Sequence, residues 1–153
     1  MADERQEKPN RSNEHISRLS SPVSRIPTKI KLHQANNTLE MTYNNGAQFE
    51  LSAEFLRVHS PSAEVKGHDP GQEILQHGKK HVAIEKTERA GNYALRLFFD
   101  DGHDSGIYTW KYLYELGCNH DRLWQNYLQK LQAAGKHREA DVQVVQLINP
   151  NQP

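Results

Sequence analysis

Polar and apolar side chains alternate from Thr28 to Leu51. Thr28-Lys29-Ile30-Lys31-Leu32-His33 puts Ile30 and Leu32 on one face of a strand and both lysines on the other. Ala35-Asn36-Asn37 supplies a turn, because asparagine tolerates the left-handed backbone region. A second alternating run sets Leu39, Met41 and Tyr43 on one face, and Asn44-Asn45-Gly46 then reverses the chain with residues that accept positive φ. Gln48-Phe49-Glu50-Leu51 returns with Phe49 and Leu51 inward, so three antiparallel strands are predicted.

The period changes at Ser52, which can cap a short helical turn that carries Phe55, Leu56 and Val58. From His59 to Lys80 no period is sustained, and Pro61, Gly67, Pro70, Gly71 and Gly78 punctuate a loop of about twenty residues, a length usually tied to function or mobility. Two more strands follow, His81–Lys86 and Tyr93–Phe99, joined around Gly91-Asn92. In the second, Tyr93, Leu95, Leu97 and Phe99 share one face while Ala94 and Phe98 take the other, as a central strand requires. Ser105–Tyr108 forms a short edge strand, and Thr109 caps a helix from Trp110 to Leu116 that Gly117 ends. Asn119 caps a last helix whose Leu123, Trp124, Tyr127, Leu128 and Leu131 make one apolar stripe, and Gly135 closes it.

The predicted fold is α+β: a small antiparallel sheet of five to six strands, a short helix after strand three, and two C-terminal helices. The ordered domain spans 28–135. Residues 1–27, rich in Ser, Asn, Arg and Glu with almost no large apolar side chain, read as a disordered tail. Residues 136–153 read as a flexible C-terminal tail with a brief apolar patch at Val142, Val144, Val145, Leu147 and Ile148.

Nineteen Lys plus Arg balance nineteen Asp plus Glu, which removes the whole-chain electrostatic case for nucleic acid or an anionic membrane. A single cysteine excludes an intrachain disulfide framework and a multi-cysteine zinc site. No apolar run approaches the roughly 20 residues that span a bilayer, and Met1 to Lys8 lacks the apolar stretch of a secretory signal. A cytoplasmic protein is expected.

Leu56-Arg57-Val58, Phe98-Phe99-Asp100-Asp101-Gly102-His103 and Tyr108-Thr109-Trp110-Lys111-Tyr112-Leu113 occur in an order and at separations that resemble the DUF971 family, the N-terminal domain of gamma-butyrobetaine hydroxylase-like proteins. The resemblance covers about residues 28 to 135. It implies a small α+β domain that occurs alone, attached to 2-oxoglutarate dioxygenases, or attached to iron-sulfur carrier ATPases. In the dioxygenase branch the domain resembles a zinc module, with a Cys-Pro-Cys-x-x-Cys cluster after the short helix and a histidine after the central strand. The matching positions here are Ser60, Ser62, Val65 and His103, and only the histidine survives. Serine and valine cannot supply the thiolates that hold structural zinc. The dioxygenase chemistry itself belongs to a separate catalytic domain that this sequence lacks.

Candidate chemistry therefore rests on the loop and on His103. His59, His68, His77 and His81 lie in or beside the loop, and with Glu64, Asp69 or Asp104 they could serve a divalent metal; His59, His68 and His103 are the metal candidates, with iron or zinc as the ion. No pair has the i, i+4 spacing of a metalloprotease helix. At a turn, His103 can instead bond a backbone carbonyl, Asp101 or Asp104 and hold the strand-to-helix junction. Cys118 reads as a small buried hydrophobe, and its neighbour His120 does not face it on a helix. Trp110, Tyr112, Trp124 and Tyr127 read as core.

No catalytic constellation and no cofactor site emerge. The expectation is a non-enzymatic interaction module that docks on an unidentified partner protein through Arg57, Lys66, His68, Lys79, Lys80 and His103. The rival is a metal-linked accessory role in iron or iron-sulfur chemistry that uses the loop histidines and His103. Without aromatic residues among its basic ones, the loop does not suggest single-stranded nucleic acid.

Overall fold

Lys29–His33 (β1), Thr38–Thr42 (β2) and Gln48–Ser52 (β3) form a three-stranded antiparallel meander in the computed structural model, which describes residues 25–140. Ile30 opposes Met41, Leu32 opposes Leu39, and Met41 and Leu39 in turn oppose Phe49 and Leu51, so the predicted apolar face is one continuous row. At the hairpin, Tyr43 N donates to Ala47 O at 2.9 Å and Gly46 takes φ 89°, a backbone angle that favours glycine.

Ile84–Ala90 (β4), Ala94–Phe99 (β5) and Gly106–Thr109 (β6) form a second meander, with β5 in the centre. This corrects the expected single sheet of five to six strands: six antiparallel strands divide into two sheets of three. Alternation marks which face of a strand is buried but not which edges pair. Each sheet here closes through its own short turns, whereas the long segment after β3 carries the chain to a separate layer. β4 also starts later than its apolar pattern suggested, at Ile84 rather than His81. Leu39, Met41 and Leu51 of the first sheet and Leu97, Phe99 and Tyr108 of the second meet in one core.

Four helices complete the described residues. Ala53–Val58 (α1) follows β3 directly, with the Ser52 hydroxyl accepting from Phe55 N at 3.0 Å, and all six of its residues are buried. Ala63–Lys66 (α2) lies inside the segment expected to be irregular; four residues are too few to register as a period, although Ser62 caps them. Trp110–Cys118 (α3) is capped by Thr109, as predicted, and Leu113 and Leu116 point into the core. His120–Ala134 (α4) ends on Gly135 at φ 67°.

The junction between the last two of these helices differs from expectation. Gly117 lies within α3 rather than after it, because a side chain there would meet the Phe49 ring at 2.4 Å; its role is close approach of helix to sheet. Asn119 holds the N-cap position of α4 as expected, but its side chain makes no capping bond and its amide donates to Glu115 O at 2.9 Å. Cys118, beside it, is exposed rather than buried.

Contacts continue past Gly135. Gly78 N donates to His137 O at 2.9 Å and Lys80 N to Arg138 O at 3.0 Å, while Arg138 grips Glu54 with Nε to Oε2 at 2.9 Å and Nη2 to Oε1 at 2.7 Å. Residues 1–24 of the expected N-terminal tail and the Val142–Ile148 patch lie outside the described residues. Among the described residues no helix is long and apolar enough to cross a membrane.

Candidate functional site

The turn between β5 and β6 meets the end of α1 and the start of α2. Phe99 N donates to His103 O at 3.0 Å, Gly102 takes φ 89°, and His103 N donates to Asp101 Oδ1 at 3.1 Å, which aims the imidazole inward. Its Nε2 lies 2.8 Å from Ser60 Oγ and its Nδ1 lies 3.2 Å from Glu64 Oε2. A carboxylate only accepts, so Nδ1 carries the proton toward Glu64 and Nε2 accepts the Ser60 hydroxyl. The Ser62 and Ser105 hydroxyls pair at 2.8 Å beside this relay. The expected turn-holding role of His103 thus has different partners, Ser60 and Glu64 rather than a backbone carbonyl, Asp101 or Asp104 at the ring.

Ser60, His103 and Glu64 follow the order of a nucleophile, base and acid, but their surroundings do not suit that chemistry. Ser60 is 0% exposed, and a Cβ at Gly106 would come within 2.8 Å of its hydroxyl, so the hydroxyl is enclosed by the β5–β6 turn on that side. Nor do these positions fit the Cys₃His zinc site that the resemblance implies. The Ser60 and Ser62 hydroxyls are engaged with His103 and Ser105, and Val65 has no donor. Among the described residues no group of three or more His, Cys, Asp or Glu side chains is placed to hold a metal ion, and His59, His68 and His103 do not form one.

Asp101 joins the same turn to α1 and to the loop. Its Oδ2 accepts from Arg57 Nε at 2.9 Å and from Lys79 Nζ at 2.7 Å, and Arg57 Nη1 reaches Gln76 Oε1 at 3.1 Å. Burial alone would raise the Asp101 carboxyl, but Lys79, the His103 backbone N–H and Arg57 outweigh it and hold it down at about 2.

Next to this turn, with Ser60 common to both, the 59–80 loop folds against α4 and leaves a cleft of about 350 Å³. Val58, Val65, Leu75 and Leu123 supply apolar wall, and Ile74 stands at the cleft 55% exposed. The polar atoms of the wall are largely engaged within the protein. Tyr112 donates to His59 O at 2.7 Å, Tyr127 donates to Gln76 O at 2.9 Å, and Gln76 itself bridges Arg57 and Ile74 O. His59 Nδ1 donates to Phe55 O at 2.8 Å, and the ring packs on Phe55 with centroids 4.5 Å apart. Lys66, whose Nζ sits 4.6 Å from the Tyr112 ring centroid, and Lys130 bring positive charge to the cleft.

Six residues were expected to form an interaction surface, and they do not present one together. Arg57 and His103 are buried. Lys79 is tied to Asp101 and Lys80 to Glu139, whereas His68 is exposed on the loop and Lys66 alone of the six lines the cleft. The cleft was missed because its walls come from segments far apart in sequence; the readable sign was the Ile74-Leu75 pair in an otherwise polar loop. Lys130 and Asn126, on the outer side of a helix, gave no sign.

The family described as Gamma-butyrobetaine hydroxylase-like, N-terminal, matches residues 30–114, which span all six strands, α1, α2 and the start of α3. The chain belongs to this family. A structure solved by NMR in solution is similar, with 54% identity and a TM-score of 0.69 over 82% of this chain and 99% of its own. A second NMR structure has 46% identity and a TM-score of 0.65, covering 84% and 98%. A crystal structure of a protein with unknown function from Acidithiobacillus ferrooxidans, which belongs to the DUF971 family, has 34% identity and a TM-score of 0.52, covering 64% and 98%. No curated protein matches the chain.

Within this family member, buried His103 and half-buried His59 make stability depend on pH. Burial pushes both below the ordinary histidine value of 6.5: at His59 the charges of Lys130, His120 and Lys66 push the same way, and at His103 Arg57 does so against Glu64 and Asp101. The unfolded chain then binds protons that the folded one refuses. Their contribution is complete above pH 6.5 and declines as pH falls below it through the lowered folded values. The urea midpoint should therefore drop between neutral pH and about pH 5, with a shallower drop in His103→Gln. An unchanged slope in that variant would remove His103 from the account.

Proposed function

We propose that the chain is a non-enzymatic accessory module that docks on a partner protein through the cleft between the 59–80 loop and α4. The observation that supports this reading is the pairing of an open, apolar-walled concavity with an exposed Ile74 that, unlike the exposed Ile26, Tyr93 and Ile107, lines it. The side chains with reactive character serve the scaffold instead: His103 fastens the loop to the β5–β6 turn, and Arg57 fastens α1 to Asp101.

A photoreactive phenylalanine analogue placed at Asn126, on the α4 wall, should capture one discrete partner in cells of the source organism. Ile74→Asp should abolish that adduct without changing the thermal midpoint, since Ile74 is mostly solvent-exposed. The same analogue at Lys31 in β1 should capture nothing comparable. Adducts that are indifferent to Ile74→Asp, or equal at both positions, would overturn the reading.

A further inference from the structure

We propose that the partner segment seated in this cleft carries a large apolar side chain flanked by carboxylates, an inference that rests on the docking reading above. The apolar half follows from the walls. Val58, Val65, Ile74 and Leu123 offer no polar contact, and the tyrosine hydroxyls around them already donate to backbone carbonyls, so a polar side chain seated on these four residues, away from exposed Asn126 and the lysines, would lose its water without replacement. The acidic half follows from charge. Lys66 and Lys130 both line the cleft, and among the described residues neither makes an ion pair. Glu73 is the one carboxylate that lines the cleft, and it accepts from the Gly71 backbone N–H at 3.3 Å. Two lysines against one occupied carboxylate leave a positive rim around an apolar floor. A complementary segment puts its hydrophobe on the floor and its carboxylates at the ammonium groups.

The test is a titration of the full, ¹⁵N-labelled chain followed by amide chemical shifts. The probe is an acetylated and amidated hexapeptide with a central leucine-phenylalanine pair between glutamate pairs. Two counterparts accompany it, one with lysines for the glutamates and one with glycines for the apolar pair. The acidic-apolar peptide should shift Val65, Ile74, Leu75 and Leu123 saturably, and the lysine peptide should bind about tenfold more weakly. The glycine peptide should leave the cleft unperturbed. In the Lys66→Glu, Lys130→Glu double variant, whose two sites are both exposed, the order of the two apolar peptides should reverse. Absence of saturable shifts at the cleft, or equal binding of both charge types, would overturn the acidic-apolar assignment. If the Asn126 adduct still depends on Ile74 in that event, docking stands and only the partner's chemistry is wrong. Loss of both results removes docking itself.

Discussion

Arg138→Ala is expected to destabilise the protein by about 3 kcal/mol, an outsized effect for a residue beyond the last helix. Glu54 opens the first turn of α1 with only 5% of its side chain exposed, and both of its oxygens are held by the Arg138 guanidinium. Truncating the arginine would leave a buried carboxylate without its partner, which costs far more than the pair itself contributes. The arginine also sits over Trp124, 5.1 Å from the ring centroid, so its loss uncovers part of α4. Because 38% of the Arg138 side chain remains exposed, water can reach the vacated position, which places the expectation at the lower end for buried pairs. Urea denaturation at neutral pH measures it, and Glu54→Leu with Arg138→Leu should recover part of the loss. A cost below about 1 kcal/mol would reduce the pair to an ordinary surface contact.

Gly117→Ala should cost about 2 kcal/mol, although alanine is the better helix former. Inside an exposed helix the same exchange would gain about 1 kcal/mol, so the sign reports the packing. A Cβ at this position would lie 2.4 Å from the Phe49 ring at the atom nearest its stem, where rotation of the ring cannot clear it. Phe49 is further held edge-on by Tyr43 and Tyr114, with centroids 5.7 and 5.3 Å away. Something must move, and the movable pieces are helix α3 and strand β3. In a Phe49→Ala background the cost of Gly117→Ala should fall to near zero, because alanine has no Cγ to meet the added methyl group. Thermal unfolding of the four proteins in the cycle reads the coupling directly. Equal costs in both backgrounds would show that Phe49 is not the obstacle.

Both residues show how far local pattern reaches. Gly117 is a glycine near the end of an apolar helical pattern, and the rule for such a residue is a terminator; only the approach of β3 from 68 positions earlier makes it a spacer. Arg138 stands in a polar stretch that gives no apolar period, and its partner lies 84 residues away. His103 falls between these cases. Its place on a turn after the central strand was legible, and so was the relation of that turn to Ser60 through family resemblance. Its ring partners, Ser60 and Glu64, required the folded geometry.

Neighbouring residues and short ordered patterns specify most of the strands and their buried faces, the Ser52 and Thr109 caps, the Gly46 turn, the Gly135 helix end and the family, although β4 begins at Ile84 rather than His81 and Tyr93 lies outside β5, 58% exposed. Long-range packing makes the six described strands form two sheets, turns Arg57 and His103 inward, and lets loop and helix enclose an apolar cleft rimmed by Lys66 and Lys130. Those outcomes depend on which edges pair and which distant surfaces meet. Local periodicity carries no term for either, since the same alternating strand can pair on both sides and the same exposed lysine can face water or a cavity.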